Sequence, residues 1–265
     1  MLSEIIQTVK LVQKIDGTKN RLRPKTKVNH MNTRTTRQTI QISENAALQL
    51  RHIASEISQM VEKNKNIPIQ KIHEKFKVRV GSIIANSIRE SYLLGLHFVE
   101  QFAGRTTKLS FAHIEEMNIQ IENQIARFWN QTEKIISDYR KKQDTPIAGA
   151  AAPFDLSILN IFNQFFAKAA LSMNFLALNN STVTTTKQVY TENIPELGIR
   201  VSGTITAPQM IWVSERDARV CPTCLNYDGR TWSVDDSTMP RPVDDSHFGC
   251  RCRLLPLDGD KVFNA

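Results

Sequence analysis

The amino-acid sequence predicts an α+β protein, with a mainly helical N-terminal region followed by a small mixed α/β C-terminal module. Apolar residues recur three or four positions apart through most of residues 40–144, which is typical of amphipathic helices. After residue 182, Val and Ile lie among Thr and Ser with Gly and Pro between them, a pattern that favours short strands. All four cysteines lie in the last 45 residues, and we therefore expect the chemistry in the C-terminal module.

Length and composition narrow the class of protein. The chain has 265 residues, enough for one large domain or two small ones. Its hydrophobic fraction of 41% and charged fraction of 23% exclude collagen-like, low-complexity and wholly disordered classes. No stretch reaches the roughly 18 uncharged apolar residues of a membrane span, and residues 1–13 lack the apolar run of a signal peptide. We expect no membrane span and synthesis in the cytoplasm.

Residues 1–39 form a basic arm that we expect to be flexible. The arm has nine basic and two acidic residues and carries +7 of the net charge of +8. This charge suits a polyanion such as DNA or an acidic protein surface, with a solvated tail or a transit peptide as alternatives. Its basic residues are Lys10, Lys14, Lys19, Arg21, Arg23, Lys25, Lys27, Arg34 and Arg37.

Residues 40–144 are predicted to form a helical domain. Ser43 is a candidate N-cap of its first helix, which the polar residues and proline of 64–68 should end. A second helix follows, with an expected interruption at 77–81 and an end at Gly104. A third helix should start at Ser110, and its apolar residues lie seven apart. This spacing fits a coiled coil between subunits or, as we prefer, a long helix packed on its own domain.

The remainder of the chain divides into four segments. Residues 145–153 (TPIAGAAAP) are predicted to be a small-residue linker, and residues 154–208 an apolar helix, ending near 179–181, joined to short strands. Residues 209–257 form the Cys/His module and residues 258–265 a tail. The strand prediction rests on Val183, Val189, Ile199, Val201, Ile205, Ile211 and Val213.

The cysteines fall into two closely spaced groups together with one histidine. Cys221-x2-Cys224 is followed, after 22 residues, by His247-x2-Cys250-x-Cys252. Structural zinc takes four nitrogen or sulfur ligands, and a CxxC turn presents two thiolates to one ion. The sequence therefore has five candidate ligands for the four coordination positions of one zinc ion. We expect Cys221, Cys224, His247 and Cys250 as ligands, with Cys252 as the substitute, since residues two apart on a strand face the same side.

Three other interpretations of the cysteines stay open. A CPTC sequence resembles a thiol–disulfide redox motif, but such a motif needs a following helix, whereas turn-forming residues follow here. Two disulfides, joining 221 to 224 and 250 to 252 or crossed between the pairs, would suit an oxidising setting. Finally, four buried thiols would also arise from packing alone.

The module resembles the C-terminal signature of the Mu F-like minor head proteins of tailed phages, also called phage head morphogenesis proteins. The resemblance covers about 50 residues. Two departures are Phe248, where the family commonly has Pro, and the acidic pair Asp244 and Asp245 before His247. The residues that match are Trp212, Asp217, Cys221, Cys224, Asp228, Gly229, Pro242, His247, Cys250, Arg251 and Cys252.

The resemblance implies a low-copy structural protein of a virus head rather than an enzyme. Such a protein associates with the portal vertex or the capsid interior and acts in head assembly and in DNA packaging or ejection. The implied partners are portal or other capsid proteins and viral DNA bound through the basic arm, and a homo-oligomer stays open. The implied location is the virion, with the host cytoplasm as the site of assembly. The five Cys and His residues match the family's metal cluster.

Two alternative functions use the same motif differently. A metal-dependent nuclease or hydrolase would keep one open coordination position and recruit Asp217, Asp244 or Asp245 as general base. A zinc-ribbon nucleic-acid binder would need a basic module, but residues 209–265 have seven basic and nine acidic residues. An acidic module is a poor ligand for phosphate, and if DNA binds, we expect it at the arm.

Overall fold

A computed structural model describes residues 28–104, 106–144, 157–192, 208–215, 220–258 and 261–262. Four long helices come first: α1 (Val28–Lys63), α2 (Ile69–Ala103), α3 (Phe111–Asp144) and α4 (Ile158–Glu192). The C-terminal module follows as β1 (Gln209–Val213), α5 (Pro222–Tyr227), β2 (Thr231–Ser233), β3 (Arg253–Asp258) and β4 (Lys261–Val262). The predicted α+β class is confirmed. None of the helices in these ranges has the length and apolar character needed to cross a membrane.

The four long helices form an antiparallel bundle whose register is fixed by named contacts. Glu56 of α1 pairs with Arg79 of α2 at 2.8 Å. Tyr92 of α2 donates to Glu116 of α3, also at 2.8 Å. Helices α3 and α4 run in opposite directions, since their contacts pair position 113 with 185, 120 with 173 and 128 with 166. The bundle shares one apolar core, to which all four helices contribute.

Several helix boundaries agree with the sequence. The first break falls at residues 64–68, α2 ends at Gly104, and α3 follows Ser110 directly. Gly104 has φ = 64°, a left-handed conformation that favours glycine, and its N–H donates to the carbonyl of Glu100. Phe128 and Ile121 of α3 are buried in the chain's own core. The preferred interpretation of α3, a long helix on its own domain, is confirmed.

Three predicted helix ends are wrong. Helix α1 begins at Val28, so Ser43 lies inside it and its hydroxyl donates to the carbonyl of Thr39 instead of capping. Helix α2 is continuous through residues 77–81. Helix α4 continues to Glu192, so Val183 and Val189 are helical rather than in strands. Of the other strand positions, Ile211 and Val213 lie in β1, and 199, 201 and 205 are outside the described residues.

The C-terminal module is built on a four-stranded antiparallel sheet in the order β2-β1-β3-β4. β1 lies between β2 and β3, and Trp212 pairs in register with Leu254. Met210, Trp212 and Leu254 are fully buried on the same face, together with three of the cysteines. Three cysteine side chains are therefore part of the small apolar core of the module.

The module docks on the helical bundle through β3 and the loop before it. Arg253 of β3 is buried, with its guanidinium 5.0 Å from the ring centre of Phe98 in α2. Its Nη1 lies 3.4 Å from the hydroxyl of Thr36 in α1. Val183 of α4 belongs to the same apolar cluster as the cysteines. The module therefore rests on three helices of the bundle.

Candidate metal centre

The first two candidate ligands lie at the start of α5. Cys221 is the N-cap of this short helix, and Pro222 at its first turn supplies the φ angle that a helix start requires. The Cys221 sulfur accepts the N–H of Cys224 at 3.3 Å. The CxxC segment is thereby folded so that both thiols point to one side of the turn. A turn without a helix was expected here from the sequence, and the six-residue α5 corrects that expectation.

The other three candidates lie at the end of an irregular loop that leads into β3. Cys250 and Cys252 are buried, and His247 is half-buried. Val243 in this loop has φ = 80°, a left-handed conformation that costs a β-branched residue of the order of 1–3 kcal/mol. Its N–H is directed towards the Cys250 sulfur and also donates to the Ser246 hydroxyl at 3.0 Å. The strained backbone is thus located where an N–H faces a thiol.

The structure brings all five predicted ligands together. Cys221, Cys224 and His247 form one group whose ligand atoms all lie within 4.8 Å of one another, and Cys224, Cys250 and Cys252 form a second such group. Cys224 belongs to both. The predicted set of Cys221, Cys224, His247 and Cys250 draws on the two groups and stays a prediction, as does the place of Cys252.

The protonation of the three buried thiols is strongly perturbed. The pKa of Cys250 falls to about 5 because the Cys252 thiol donates a hydrogen bond to its sulfur. A hydroxyl and two backbone N–H groups also donate to this sulfur and lower the pKa further. Burial, the hydrogen bond with Cys221 and the charge on Cys250 raise the pKa of Cys224 to about 12. The hydrogen bond to Cys250 and burial also raise the pKa of Cys252. The neighbouring donors therefore favour the thiolate form at Cys250, whereas Cys224 and Cys252 are shifted towards the thiol form.

The donor atoms fit zinc. Zinc–sulfur bonds of about 2.3 Å give a tetrahedron with sulfur–sulfur edges of about 3.8 Å. The Cys224 and Cys250 sulfurs lie 3.7 Å apart. His247 Nδ1 lies 3.2 Å from the Phe248 carbonyl, and a zinc-bound histidine commonly makes such a bond with its second nitrogen. If Nδ1 carries the proton, Nε2 is the nitrogen available to a metal. The Cys and His groups are close enough to hold a metal ion.

Side chains of α4 hold the cysteine loop in place. Asn179 is fully buried; its Nδ2 donates to the Cys252 carbonyl, and its Oδ1 accepts the N–H of Leu254, both at 2.9 Å. The amide therefore pairs with β3 as a neighbouring strand would. About two turns earlier on the same face of α4, the Ser172 hydroxyl accepts the N–H of Gly249 at 2.7 Å. Neither residue was predicted from the sequence. Residues 179–181 have the composition of a helix end, and Ser172 has no local signal of a contact with a distant loop.

Aromatic residues close the other side of the cluster. Trp212 is buried with its ring 4.9 Å from that of Tyr227, and Tyr227 in turn contacts Trp232 at 6.0 Å. The turn after α5 is pinned to β1, because the N–H of Gly229 donates to the Trp212 carbonyl at 2.8 Å. Gly229 has φ = 81°, which explains the Asp-Gly pair at 228–229. Trp212 and Gly229, two framework residues of the motif, thus lie in the structure that encloses the cysteines.

Asp244 and Asp245, two further candidate residues, form contacts outside the two metal-compatible groups. Asp244 pairs with Arg127 of α3 at 3.1 Å, and Asp245 accepts the N–H of Arg241 at 2.7 Å. Asp217 lies outside the described residues, as do the seven arm residues before position 28. Arg34 and Arg37, the last two basic residues of the arm, are exposed on α1. The two metal-compatible groups within the described ranges contain no carboxylate.

Comparison with known proteins gives no match: no protein-family model, curated protein or solved structure is similar to this chain at a significant level.

Proposed function

We propose that this chain is a minor structural protein of a tailed-virus head, acting in head morphogenesis, whose C-terminal module is held together by a structural zinc ion. The observation that carries the proposal is the convergence of five Cys and His ligands around Cys224 within a 50-residue motif that resembles the head morphogenesis proteins. Zinc is proposed as the metal because thiolate-rich sites of this geometry favour it.

A structural role is favoured over a catalytic one by the burial of three of the five candidate ligands. Cys224 and Cys250 have no exposed surface, and Cys252 is 3% exposed. A catalytic zinc keeps a coordination position that substrate can reach, whereas these thiols face the core formed by Met210, Trp212 and Leu254. The acidic residues suggested as general bases, Asp244 and Asp245, form contacts with Arg127 and the Arg241 backbone.

The small size of the module explains why a metal is needed there. Its strands are two to six residues long, and such a unit buries too little apolar surface to offset the entropy of ordering its loops. Structural zinc contributes on the order of 10 kcal/mol in metal-dependent small domains. Because Asn179 and Ser172 of α4 bind the same loop, zinc would fix the module and its position on the bundle together.

In this proposal the module and bundle contact the portal or other capsid proteins, and the basic arm contacts viral DNA. Phosphate contacts by Lys and Arg need no sequence readout, so a cationic segment is sufficient for that role. The proposed location is the virion, at the portal vertex or the capsid interior, with the host cytoplasm during assembly.

The test is the position of the protein in particles. Mass spectrometry and immunogold labelling of purified heads from the encoding virus should find it at low copy number, near one vertex or inside the shell. Its absence from both mature particles and assembly intermediates would contradict the proposal. Zinc content measured on the same purified protein tests the metal separately.

A further inference from the structure

We propose that the end of the bundle away from the Cys/His module binds the phosphate backbone of double-stranded DNA, as a surface separate from the N-terminal arm. We call this end the basic tip and define it as residues 62–71 and 133–142. It comprises the end of α1, the loop to α2, the first residues of α2 and the part of α3 up to Lys142, two residues before that helix ends at Asp144. The inference does not depend on the proposed viral function.

The segments of the basic tip are adjacent in space. Arg140 of α3 donates from Nη2 to the carbonyl of Ile67, in the loop between α1 and α2, at 2.6 Å. Ile69, at the start of α2, lines a shallow groove with residues 130–141 of α3. The antiparallel register of α3 and α4 places the first turn of α4 at the same end. Two stretches far apart in sequence therefore form one surface.

Charge is concentrated on this surface. The tip has seven basic and three acidic residues, a net charge of +4, and α4 adds no charged residue before Lys168. The described part of the C-terminal module has five basic and seven acidic residues, a net charge of −2. The tip is thus more positive than the described part of the module, although residues 40–265 as a whole are nearly neutral. The basic residues of the tip are Lys63, Lys65, Lys71, Lys134, Arg140, Lys141 and Lys142.

The cations of the tip are largely available to a partner. Lys63, Lys65, Lys71, Lys134 and Lys142 are exposed, and among the described residues none of these five forms an ion pair. By contrast, Arg79, further along α2 beyond the tip, is paired with Glu56. Several exposed lysines on one surface suit a backbone of regularly repeated phosphates.

Composition favours nucleic acid over an acidic protein as the partner. Protein–protein interfaces are enriched in aromatic residues and Arg and are depleted in Lys. Six of the seven tip cations are Lys, and none of the large exposed hydrophobic residues found in the described parts of the chain lies in residues 62–71 or 133–142. The tip lacks the apolar centre that a protein partner would need, whereas phosphate binding requires only charge.

The test compares two full-length variants with equal net charge. The tip variant carries Lys63→Gln, Lys65→Gln, Lys71→Gln and Lys142→Gln. The control variant carries Arg51→Gln, Arg89→Gln, Lys108→Gln and Arg230→Gln, which are exposed and lie elsewhere on the bundle and module. Fluorescence anisotropy with a mixed-sequence duplex of about 30 base pairs measures affinity as a function of salt concentration.

We expect the tip variant to bind about tenfold more weakly at low salt, and the slope of log K against log salt to fall by up to about 0.9 for each phosphate that the variant no longer neutralises. The control variant should change much less. Equal losses of affinity in the two variants, or no loss in the tip variant, would overturn the proposal. Sedimentation of the protein without DNA tests whether the tip binds a second copy of the chain instead. Self-association that disappears only in the tip variant would identify that copy as the partner and overturn the proposal.

Chemical modification of the unaltered protein gives a readout independent of the variants. Bound DNA should protect Lys63, Lys65, Lys71 and Lys142 from reductive methylation more than it protects Lys108. Equal protection at all five lysines would argue against the tip.

Discussion

At the scale of single residues, Cys224 is the centre of the C-terminal module. It is the one residue shared by both metal-compatible groups in the described part of the chain, and its sulfur lies 3.7 Å from that of Cys250. The other ligands approach it from the start of α5 and from the loop before β3. Because its pKa is raised to about 12 by burial and by its sulfur neighbours, a metal must displace its proton, and lower pH should weaken binding.

The first prediction is that Cys224→Ser abolishes metal binding. Purified protein should carry about one zinc per chain by elemental analysis, and this variant should carry almost none, since a hydroxyl is a far poorer zinc ligand than a thiolate. Hydrogen exchange should then show loss of protection after residue 208, while the bundle stays protected. Met239→Leu, in the same apolar cluster, is the control and should retain the metal. Metal-free protein with a protected module would contradict the prediction.

A second prediction concerns Asn179, the amide that pairs with β3. Asn179→Leu leaves the Cys252 carbonyl and the Leu254 N–H buried without their partner. Each such group costs about 1–3 kcal/mol, so the free energy of unfolding should fall by about 3 kcal/mol in denaturant titrations. Asn180→Leu is the matched control, because Asn180 loses a single half-buried bond to Arg241. Similar losses in the two variants would mean that the strand-like pairing contributes little.

At the scale of elements, α4 organises the molecule, since it packs on the other three helices and carries the docking site of the module. Its residues 172–179 are all buried. A helix buried on every side has no amphipathic period in its sequence. Its polar residues bond within the fold instead: the Thr182 and Thr186 hydroxyls donate to carbonyls four residues earlier.

The difference between local sequence signals and tertiary burial explains which elements could be predicted from the sequence. Helix α3 and the ends at Gly104 and residue 64 follow from local signals, namely an apolar period, a left-handed glycine and a proline. Asn179 and Ser43 have the same local signals as a helix end or a cap, and only the hydrogen bonds that they make in the folded structure show otherwise. The metal ligands were predictable because their chemistry is tied to residue type and spacing. The residues of α4 that hold them were not, because the pairing joins positions about 70 apart in sequence.

The third prediction tests how closely α2 and α4 approach. A Cβ at Gly95 would lie 2.5 Å from the Leu178 carbonyl oxygen and 2.8 Å from Ser181 Cβ, so Gly95→Ala must push the helices apart. We expect a loss of about 1–3 kcal/mol in the free energy of unfolding. Gly81→Ala is the matched control on the same helix. Its Cβ would meet only Ile125 Cδ1, at an ordinary 3.7 Å, and alanine's helix propensity should stabilise it by up to about 1 kcal/mol. Equal effects of the two substitutions in thermal or denaturant unfolding would contradict the close contact.

At the scale of the whole molecule, the basic tip lies at one end of the helical bundle, and the Cys/His module packs against the bundle away from that end. The module contacts α4 between Phe165 and Lys187, and the tip lies at the beginning of that helix. Helix α1 runs back from the tip to the neighbourhood of the module, where Thr36 contacts Arg253. The segment before Val28 therefore joins the bundle at the module end, and the two cationic parts of the chain enter the structure at opposite ends of α1.

The last prediction follows from where α1 begins. Removing residues 1–27 deletes seven basic and two acidic residues and leaves every described helix intact. The melting temperature should change little, whereas DNA affinity and its salt dependence should fall without vanishing, because the basic tip stays in place.

Removing residues 1–39 cuts into α1 and deletes the buried Thr35, Thr36 and Thr39, including the contact between Thr36 and Arg253. That truncation should lower the melting temperature by several degrees, since a 1 kcal/mol loss shifts it by about 2–4 °C in a chain of this size. Circular dichroism melts and anisotropy titrations on the two truncations measure both effects. If the shorter deletion destabilises the protein as much as the longer one, residues before 28 are part of the packed body. If it removes DNA binding altogether, the tip makes no contact of its own with the phosphates.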